Sequence, residues 1–331
     1  MAVFPAQSKS MKIKSVTKPV PAKFRLIMIS AMYENGGNTT HRMLDGHPNL
    51  FVYPFESQVG TAYGTNMMDA YVPIRYRWPE FPANTSPEEA YEMFWDEELK
   101  TLLRAPRRSK FSQCGLQMKE ANRRKWFCEF MARRPATRAN FVEAFYRSTF
   151  ATWENYESSG RETHYVGYNP VQVFDTDKIM KDWPEAQVLH VIRNPFSGFS
   201  DTSKRPFPLP ITKYAWIWNA CQISALTYKR KYQGRFHVLR FEDMVADRKG
   251  AIGKLLQGMG LPVSQQCLFP SFNRTELKEV YPWGTIKTPT TETNLATANE
   301  LSKTQKQQIY TECQVVMEMC GYQKLCAKVL T

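Results

Sequence analysis

The stretch Val188-Leu-His-Val-Ile-Arg-Asn-Pro-Phe-Ser-Gly-Phe-Ser-Asp-Thr-Ser-Lys204 decides how this chain is read. Its apolar opening, within 187–192, suits a parallel strand buried on both faces. Pro195 suits the first turn of a helix, where its missing N–H costs nothing. A strand that stops at Arg193 and turns into a helix carrying Ser197, Ser200, Thr202 and Ser203 can hold a phosphate. The guanidinium offers a charge-assisted fork, and hydroxyls and helix N–H groups add donors. The competing structural reading is an arginine that closes a sheet edge above a solvated Ser/Thr helix.

A second corner of the same kind lies upstream. The first expected strand, 24–30, runs into Glu34-Asn-Gly-Gly-Asn-Thr-Thr40. Gly36 and Gly37 let the backbone turn its N–H groups inward, while Asn38, Thr39 and Thr40 add donors at a helix N-terminus. The loop is not a nucleoside-triphosphate P-loop, because G-x-x-x-x-G-K-[ST] is absent and no lysine sits in it. Two anion corners at the carboxyl ends of parallel strands suit one ligand with two separated phosphates.

Around these corners, strands at 24–30, 50–55, 164–168, 187–192 and 235–241 alternate with helices. The pattern predicts an α/β fold, a parallel, doubly wound sheet flanked by helices. Helices are expected near 87–103, 119–133, 138–158, 171–181, 212–232 and 300–320, with 262–298 largely irregular. The chain reads as one domain over 23–331, with a helical insertion at 60–158 and an irregular capping loop at 270–298. The Lys-, Pro- and Ser-rich leader 1–22 reads as disordered.

The chain has 44 basic and 31 acidic residues, a net charge of +13, which favours acidic partners. Between Arg104 and Arg138 eleven Lys/Arg face only Glu120 and Glu129, interleaved with Trp126, Phe127, Phe130 and Met131. A solvated helix face is the first reading of that run, a rim around an anionic substrate the second, and an RNA surface the third. Seven scattered cysteines with no C-x-x-C pair speak against a disulfide framework or zinc site and for a reducing, cytoplasmic setting. No stretch has the length of a signal peptide's apolar region or a membrane span.

Taken in order, three segments resemble the sulfotransferases that use 3′-phosphoadenosine-5′-phosphosulfate (PAPS). The Gly-Gly-Asn-Thr-Thr loop, continuing through Arg42-Met-Leu-Asp-Gly-His-Pro48 to Glu56, is similar to that family's 5′-phosphosulfate loop. It is nearest to tyrosylprotein sulfotransferases, which share the Leu-Asp-x-His-Pro ending. Val191-Ile-Arg-Asn-Pro195 is similar to the 3′-phosphate motif, and Leu239-Arg-Phe-Glu-Asp-Met244 resembles the Arg-Tyr-Glu-Asp-Leu signature. The resemblance implies a P-loop-NTPase-like sulfotransferase fold, PAPS as co-substrate with 3′-phosphoadenosine-5′-phosphate (PAP) as product, no metal, and no nucleic-acid partner.

It also implies residue roles. Gly36, Gly37, Asn38, Thr39 and Thr40 would hold the 5′ end and Arg193 the 3′-phosphate. The usual Ser eight residues after the Arg is replaced by Asp201, which leaves Ser200 or Thr202 to substitute. Trp283, Gly284, Thr285 and Lys287 would close over the adenosine. Glu56 is the first candidate base, a strand-end ion-pair role being its structural alternative, and His41 is the second; His47 and His190 read as structural. Tyr63, Tyr71, Tyr76 and Trp78 would form the acceptor pocket or a lid. Two departures stand out: Glu34 or Asn35 sits where the loop usually has Arg or Lys, and Asn169 where many members have Lys. Arg42, Lys204, Arg205 and Lys287 are the replacement cations by sequence.

The implied chemistry is in-line sulfuryl transfer to a small-molecule or carbohydrate hydroxyl, driven by positioning, charge stabilisation and a base. The aromatic insertion fits a flat or lipophilic alcohol or phenol; the basic helices fit a carbohydrate or acidic peptide. The rivals are a catalytically inactive nucleotide- or glycan-binding relative and, disfavoured by the missing Walker lysine, an ATP-dependent kinase. A basic nucleic-acid-binding protein comes last, for want of a recognised module.

Overall fold

In the computed structural model, which describes residues 21–63, 68, 71–278 and 289–330, the sheet is built from short, mostly buried strands, the edge strand at 236–240 being the most open. β1 (Leu26–Ala31), β2 (Leu50–Val52), β3 (His164–Pro170), β4 (Gln187–Ile192) and β5 (Phe236–Arg240) are all parallel, in the order β2-β3-β1-β4-β5. Alternation along β1 shows why both faces are covered. Leu26 and Met28 join one apolar cluster, and Ile27, Ile29 and Ala31 join the other. The second cluster is filled by Met43 and Leu44 of α1 (Gly37–Leu44) and by Ile252, Leu255 and Leu256 further on. β2 is an edge strand: Tyr53 N donates inward to Val166 O at 2.9 Å, and at Pro54 the missing N–H falls on the outer side, where no ladder partner is lost.

The chain leaves β1 toward β2 on one side and leaves β4 toward β5 on the other, so the winding reverses between β1 and β4. That reversal opens a crevice at the carboxyl ends of the strands. Ala31 lies level with Pro170 and Val191, and Ile192 level with Arg240. The loops after β1, β3, β4 and β5 therefore meet at one edge.

The insertion carries α2 (Pro87–Met93), α3 (Glu97–Arg104), α4 (Glu120–Met131) and α5 (Arg138–Thr152). The single helix expected over 87–103 is broken at Asp96, whose backbone is left-handed (φ 39°). The break stitches the insertion to the loop after β2: Trp95 N donates to Gly60 O at 3.0 Å, Asp96 N to Gln58 O at 3.1 Å, and Glu97 N to Gln58 Oε1 at 2.9 Å. The Asp96 carboxylate meanwhile accepts from Tyr53 Oη at 2.6 Å and from the buried Arg123. A buried guanidinium needs such a partner.

After β3 come α6 (Thr176–Asp182), α7 (Pro195–Ser203), α8 (Ile211–Lys231), α9 (Phe241–Ala246) and α10 (Arg248–Gly258). The segment expected to be irregular over 262–298 instead holds a short hairpin, β6 (Ser271–Phe272) with β7 (Thr275–Glu276), and α11 (Thr291–Asn299). Thr290 and Thr293 cap α11 reciprocally. α12 (Lys303–Met319) and α13 (Gln323–Leu330) close the chain, and no described helix is long and apolar enough to cross a membrane.

Candidate active site

A cleft of about 870 Å³ lies over the carboxyl ends of β1, β3 and β4. Its floor is the loop after β1. Gly36 adopts φ +83°, and a Cβ there would stand 2.3 Å from the Phe241 ring; at Gly37 a Cβ would meet the Tyr168 ring at 2.6 Å. Both positions therefore require glycine, and the backbone is drawn in under two aromatic rings. Gly36, Gly37, Asn38 and Thr39 line the cleft. The first turn of a helix has N–H groups with no acceptor of its own helix, so this end of α1 suits an anion. Thr40 is turned inward, its hydroxyl donating to Gly36 O at 3.0 Å. Asn35, wholly buried, fixes the loop to the neighbouring strand: its Oδ1 accepts from Arg193 N at 3.3 Å and its Nδ2 donates to Tyr33 O at 2.8 Å.

The second corner is Arg193. Its Nη1 donates to Glu34 O at 2.9 Å and to Asp201 Oδ2 at 2.7 Å, its Nε to Asn294 Oδ1 at 2.7 Å, and the guanidinium lies over the Phe241 ring. Behind it, Glu242 accepts from Asn194 N, Asn294 Nδ2 and the Tyr322 hydroxyl, at 3.0, 3.2 and 2.7 Å. Glu242, in the first turn of α9, thus ties α7, α11 and the end of α12 together beneath Arg193. Ser200 donates to Glu300 at 2.7 Å and Thr202 to Gly198 O at 2.7 Å, so both hydroxyls point away from the cleft. Asp201 is the residue of that turn that reaches it.

Glu56 lines the same cleft, half-buried just beyond β2. Its own N–H donates to Glu98 Oε2 at 3.1 Å. Burial and then the Glu98 carboxylate push its pKa up to about 7, against the opposing pull of Lys110, a hydrogen bond from Tyr76 and Arg205. That value suits a general base near neutral pH. Asn169, in the place of the expected lysine, is a strut for this loop: its Oδ1 accepts from Gln58 N at 2.7 Å and its Nδ2 donates to Gln172 at 2.7 Å.

Cations reach the cleft from two sides, and Lys204 and Arg205 among them are replacement cations expected from the sequence. Arg75, Arg108 and Lys110 come from the insertion, Lys204 and Arg205 from the end of α7. Arg205 bonds Glu34 Oε1 through Nε at 3.0 Å and Nη2 at 2.5 Å and lies over the Tyr33 ring; Lys110 pairs with Glu98 at 2.8 Å and Arg75 with Glu97 at 3.2 Å. Arg108 and Lys110 belong to the basic run read first as a solvated face. Much of the rest of that run is structural: Arg123 is buried against Asp96, and Arg138 pairs with Asp182 and Glu80. Glu98 lies within the helix expected over 87–103, and Asn294 within the segment expected to be irregular.

Other expected positions lie elsewhere. His41 is wholly buried against Arg42, 2.9 Å from its Nη2, and burial followed by that charge lowers its pKa well below the usual value. It does not line the cleft. Arg42 is equally buried, donating to Tyr53 O at 2.8 Å. Trp78 is a core residue, its indole N–H donating to Asp182 at 2.7 Å. Tyr71 packs at a tilt against the exposed Trp216, and Tyr63 is exposed; of the aromatic set only Tyr76 lines the cleft. His190 is a core histidine bonded to Ser30 and Gln222, as expected. Trp283, Gly284, Thr285 and Lys287 lie outside the described residues.

The model of the sulfotransferase family matches residues 27–265. No curated protein matches. Among solved structures, the chain is similar to the sulfotransferase domain of the Synechococcus PCC 7002 olefin synthase, at 16% identity over 86% of this chain and 96% of that one, TM-score 0.45. It is also similar to the sulfotransferase domain from the curacin biosynthetic pathway, at 13% identity over 91% and 99%, TM-score 0.47. A third is sulfotransferase STF1 from Mycobacterium tuberculosis H37Rv, at 15% identity over 77% and 72%, TM-score 0.39.

Proposed function

The chain belongs to the sulfotransferase family, and we propose that it moves a sulfuryl group from PAPS to a hydroxyl acceptor by in-line transfer. The observation that carries the reading is that Glu56, with its pKa raised to about 7, shares one cleft with both anion corners. The residues present fit the donor. The glycine-walled first turn of α1 suits the 5′-phosphosulfate, and Arg193 suits the 3′-phosphate.

When bound, PAPS supplies an activated sulfuryl group on a stable bisphosphate leaving group. Glu56 takes the proton of the acceptor hydroxyl as its oxygen attacks. Arg205, tethered to the first loop through Glu34, is the first candidate to stabilise charge on the oxygen that loses the sulfuryl group. Lys110 and Arg75 are further cations of the cleft wall. Tyr76, Phe111 and Thr101 line the side away from the anion corners and would meet a small-molecule or carbohydrate acceptor.

The test is ligand-dependent melting followed by transfer. PAP is expected to raise the melting temperature and ATP not to, with about 2.7 kcal/mol gained at a hundredfold excess over Kd. Labelled PAPS should then pass its sulfuryl group to a member of a hydroxyl acceptor panel. Stabilisation by ATP alone would return the chain to the kinase reading; PAP binding without transfer to any acceptor would leave an inactive nucleotide-binding relative.

A further inference from the structure

The Arg193 end of the cleft carries its own anions. Arg193 pairs with Asp201 at 2.7 Å, Lys204 with Asp201 at 3.2 Å and with Glu300 at 2.6 Å, and Arg205 with Glu34 at 2.5 Å. Three cations thus face three carboxylates. Arg193 is only 8% exposed, so its charge is held in a poorly solvated place where a neighbouring carboxylate acts strongly. Both Nη1 donors and Nε are committed to Glu34 O, Asp201 and Asn294, which leaves Nη2 facing no partner among the described residues.

An incoming phosphate therefore meets a guanidinium whose charge the Asp201 carboxylate already compensates. We propose that Asp201 is a built-in competitor for the second phosphate of the donor nucleotide, and that it sets how strongly this cleft prefers a bisphosphate over a monophosphate nucleotide. The inference rests on the donor reading above. Asp201 is suited to this role because it is the carboxylate of the cluster that pairs with Arg193 itself and yet keeps a path to solvent. It sits in the last turn of α7, its side chain is 30% exposed, and it lines the cleft. Asn294, by contrast, is buried on α11 and held by Arg193 and Glu242. Asp201 can swing toward Lys204 and solvent when a phosphate takes the Nη1 donor it vacates.

The test measures the ratio of Kd values for PAP and adenosine 5′-monophosphate by calorimetry, on the whole chain. The two probes differ only in the 3′-phosphate, so the ratio reports that corner and cancels effects on the α1 corner or on overall stability. Asp201→Asn keeps the size of the side chain and removes its charge. It is expected to tighten PAP about tenfold, ~1.4 kcal/mol, and to leave adenosine monophosphate within about twofold. Asp201→Ser, which removes the reach as well, should shift the ratio the same way if the Asn variant folds poorly. An unchanged ratio in both variants, or one moved toward the monophosphate, overturns the role of Asp201. Arg193→Ala separates that failure from failure of the donor reading: it should collapse the wild-type ratio toward one. If wild type binds neither nucleotide, or Arg193→Ala leaves the ratio intact, the donor reading falls and this inference with it.

Discussion

The backbone N–H of Glu56 donates to the carboxylate of Glu98, 3.1 Å away, while Lys110 holds the other Glu98 oxygen at 2.8 Å. One carboxylate thus fixes the position of the candidate base and raises its proton affinity. Around Glu56 stand Glu98 and Lys110 from α3 and the segment after it, Tyr76 and Arg75 from the turn at 74–76, and Arg205 from the end of α7. Tyr33 and Tyr168 face it from the loop after β1 and from β3.

Transfer should accordingly depend on pH. A base with its pKa near 7 is protonated below that value, so kcat/KM is expected to rise with pH through about 7 and then level. Glu56→Gln should remove roughly 10²–10⁴-fold of the rate while PAP still raises the melting temperature. Glu98→Gln removes the like charge and should move the acid limb down by about one unit. A limb that stays put in Glu98→Gln would show that Glu98 only shapes the loop.

Arg205→Ala is expected to lower kcat roughly 10²–10³-fold, the size seen when one preorganised donor to a developing oxyanion is lost. The Kd for PAP should change little by comparison, since the sulfuryl group is absent from that ligand. Single-turnover transfer with PAPS, beside PAP calorimetry, separates the two. Equal losses in both would make Arg205 a ground-state binding residue.

Gly36→Ala should damage the donor floor. The left-handed backbone at φ +83° disfavours any side chain, and the new Cβ would stand 2.3 Å from the Phe241 ring. A loss of about 1–3 kcal/mol of stability is expected from such strain, with PAP stabilisation abolished. Denaturant unfolding with and without PAP reads both.

Acid should destabilise the fold through its histidines. All five, His41, His47, His164, His190 and His237, have lowered pKa values, desolvation being the leading cause in each. The unfolded chain takes up these protons near pH 6.5, whereas folded His164 and His190 resist until about 4. Stability is therefore present above about 6.5 and lost as pH falls from there toward 4. For His190 alone the shift corresponds to about 3 kcal/mol. Glu56, raised in the folded state, acts the other way but is a single group. Melting temperature followed over that range checks the direction, and His190→Gln should blunt the slope.

The two anion corners were legible because each is written locally: a buried apolar run, then a residue type that only a tight turn or a phosphate explains. Gly36-Gly37 and Arg193-Asn-Pro need no tertiary information to be found. The expected all-parallel sheet followed from the same runs. Glu98, Lys110 and Arg75 were not legible, because nothing in their own neighbourhoods distinguishes them from solvated helix and loop charges. Tertiary contacts bring them to the cleft: Glu98 follows the break at Asp96, whose carboxylate holds the buried Arg123 of α4, Lys110 pairs with Glu98, and Arg75 is tied to the 56–60 loop by the bond from Gly60 N to its carbonyl. His41 misled for the converse reason: its place beside the loop is local, but its direction is set by Arg42 and the Tyr53 carbonyl. α11 was missed because its cap uses Thr293 where sequence rules look for Glu or Gln.

The stitching of Trp95, Asp96 and Glu97 to Gln58 and Gly60 bears on how such a chain can diversify. The wall that would meet the acceptor and the loop that carries the base are joined by backbone hydrogen bonds, so they cannot vary as separate modules. Exchanging the insertion for one from a relative, without the matching 56–60 loop, would leave Glu56 without its anchor. New acceptors are reached more safely by side-chain changes at Arg75, Thr101 and Arg108, on a frame left whole.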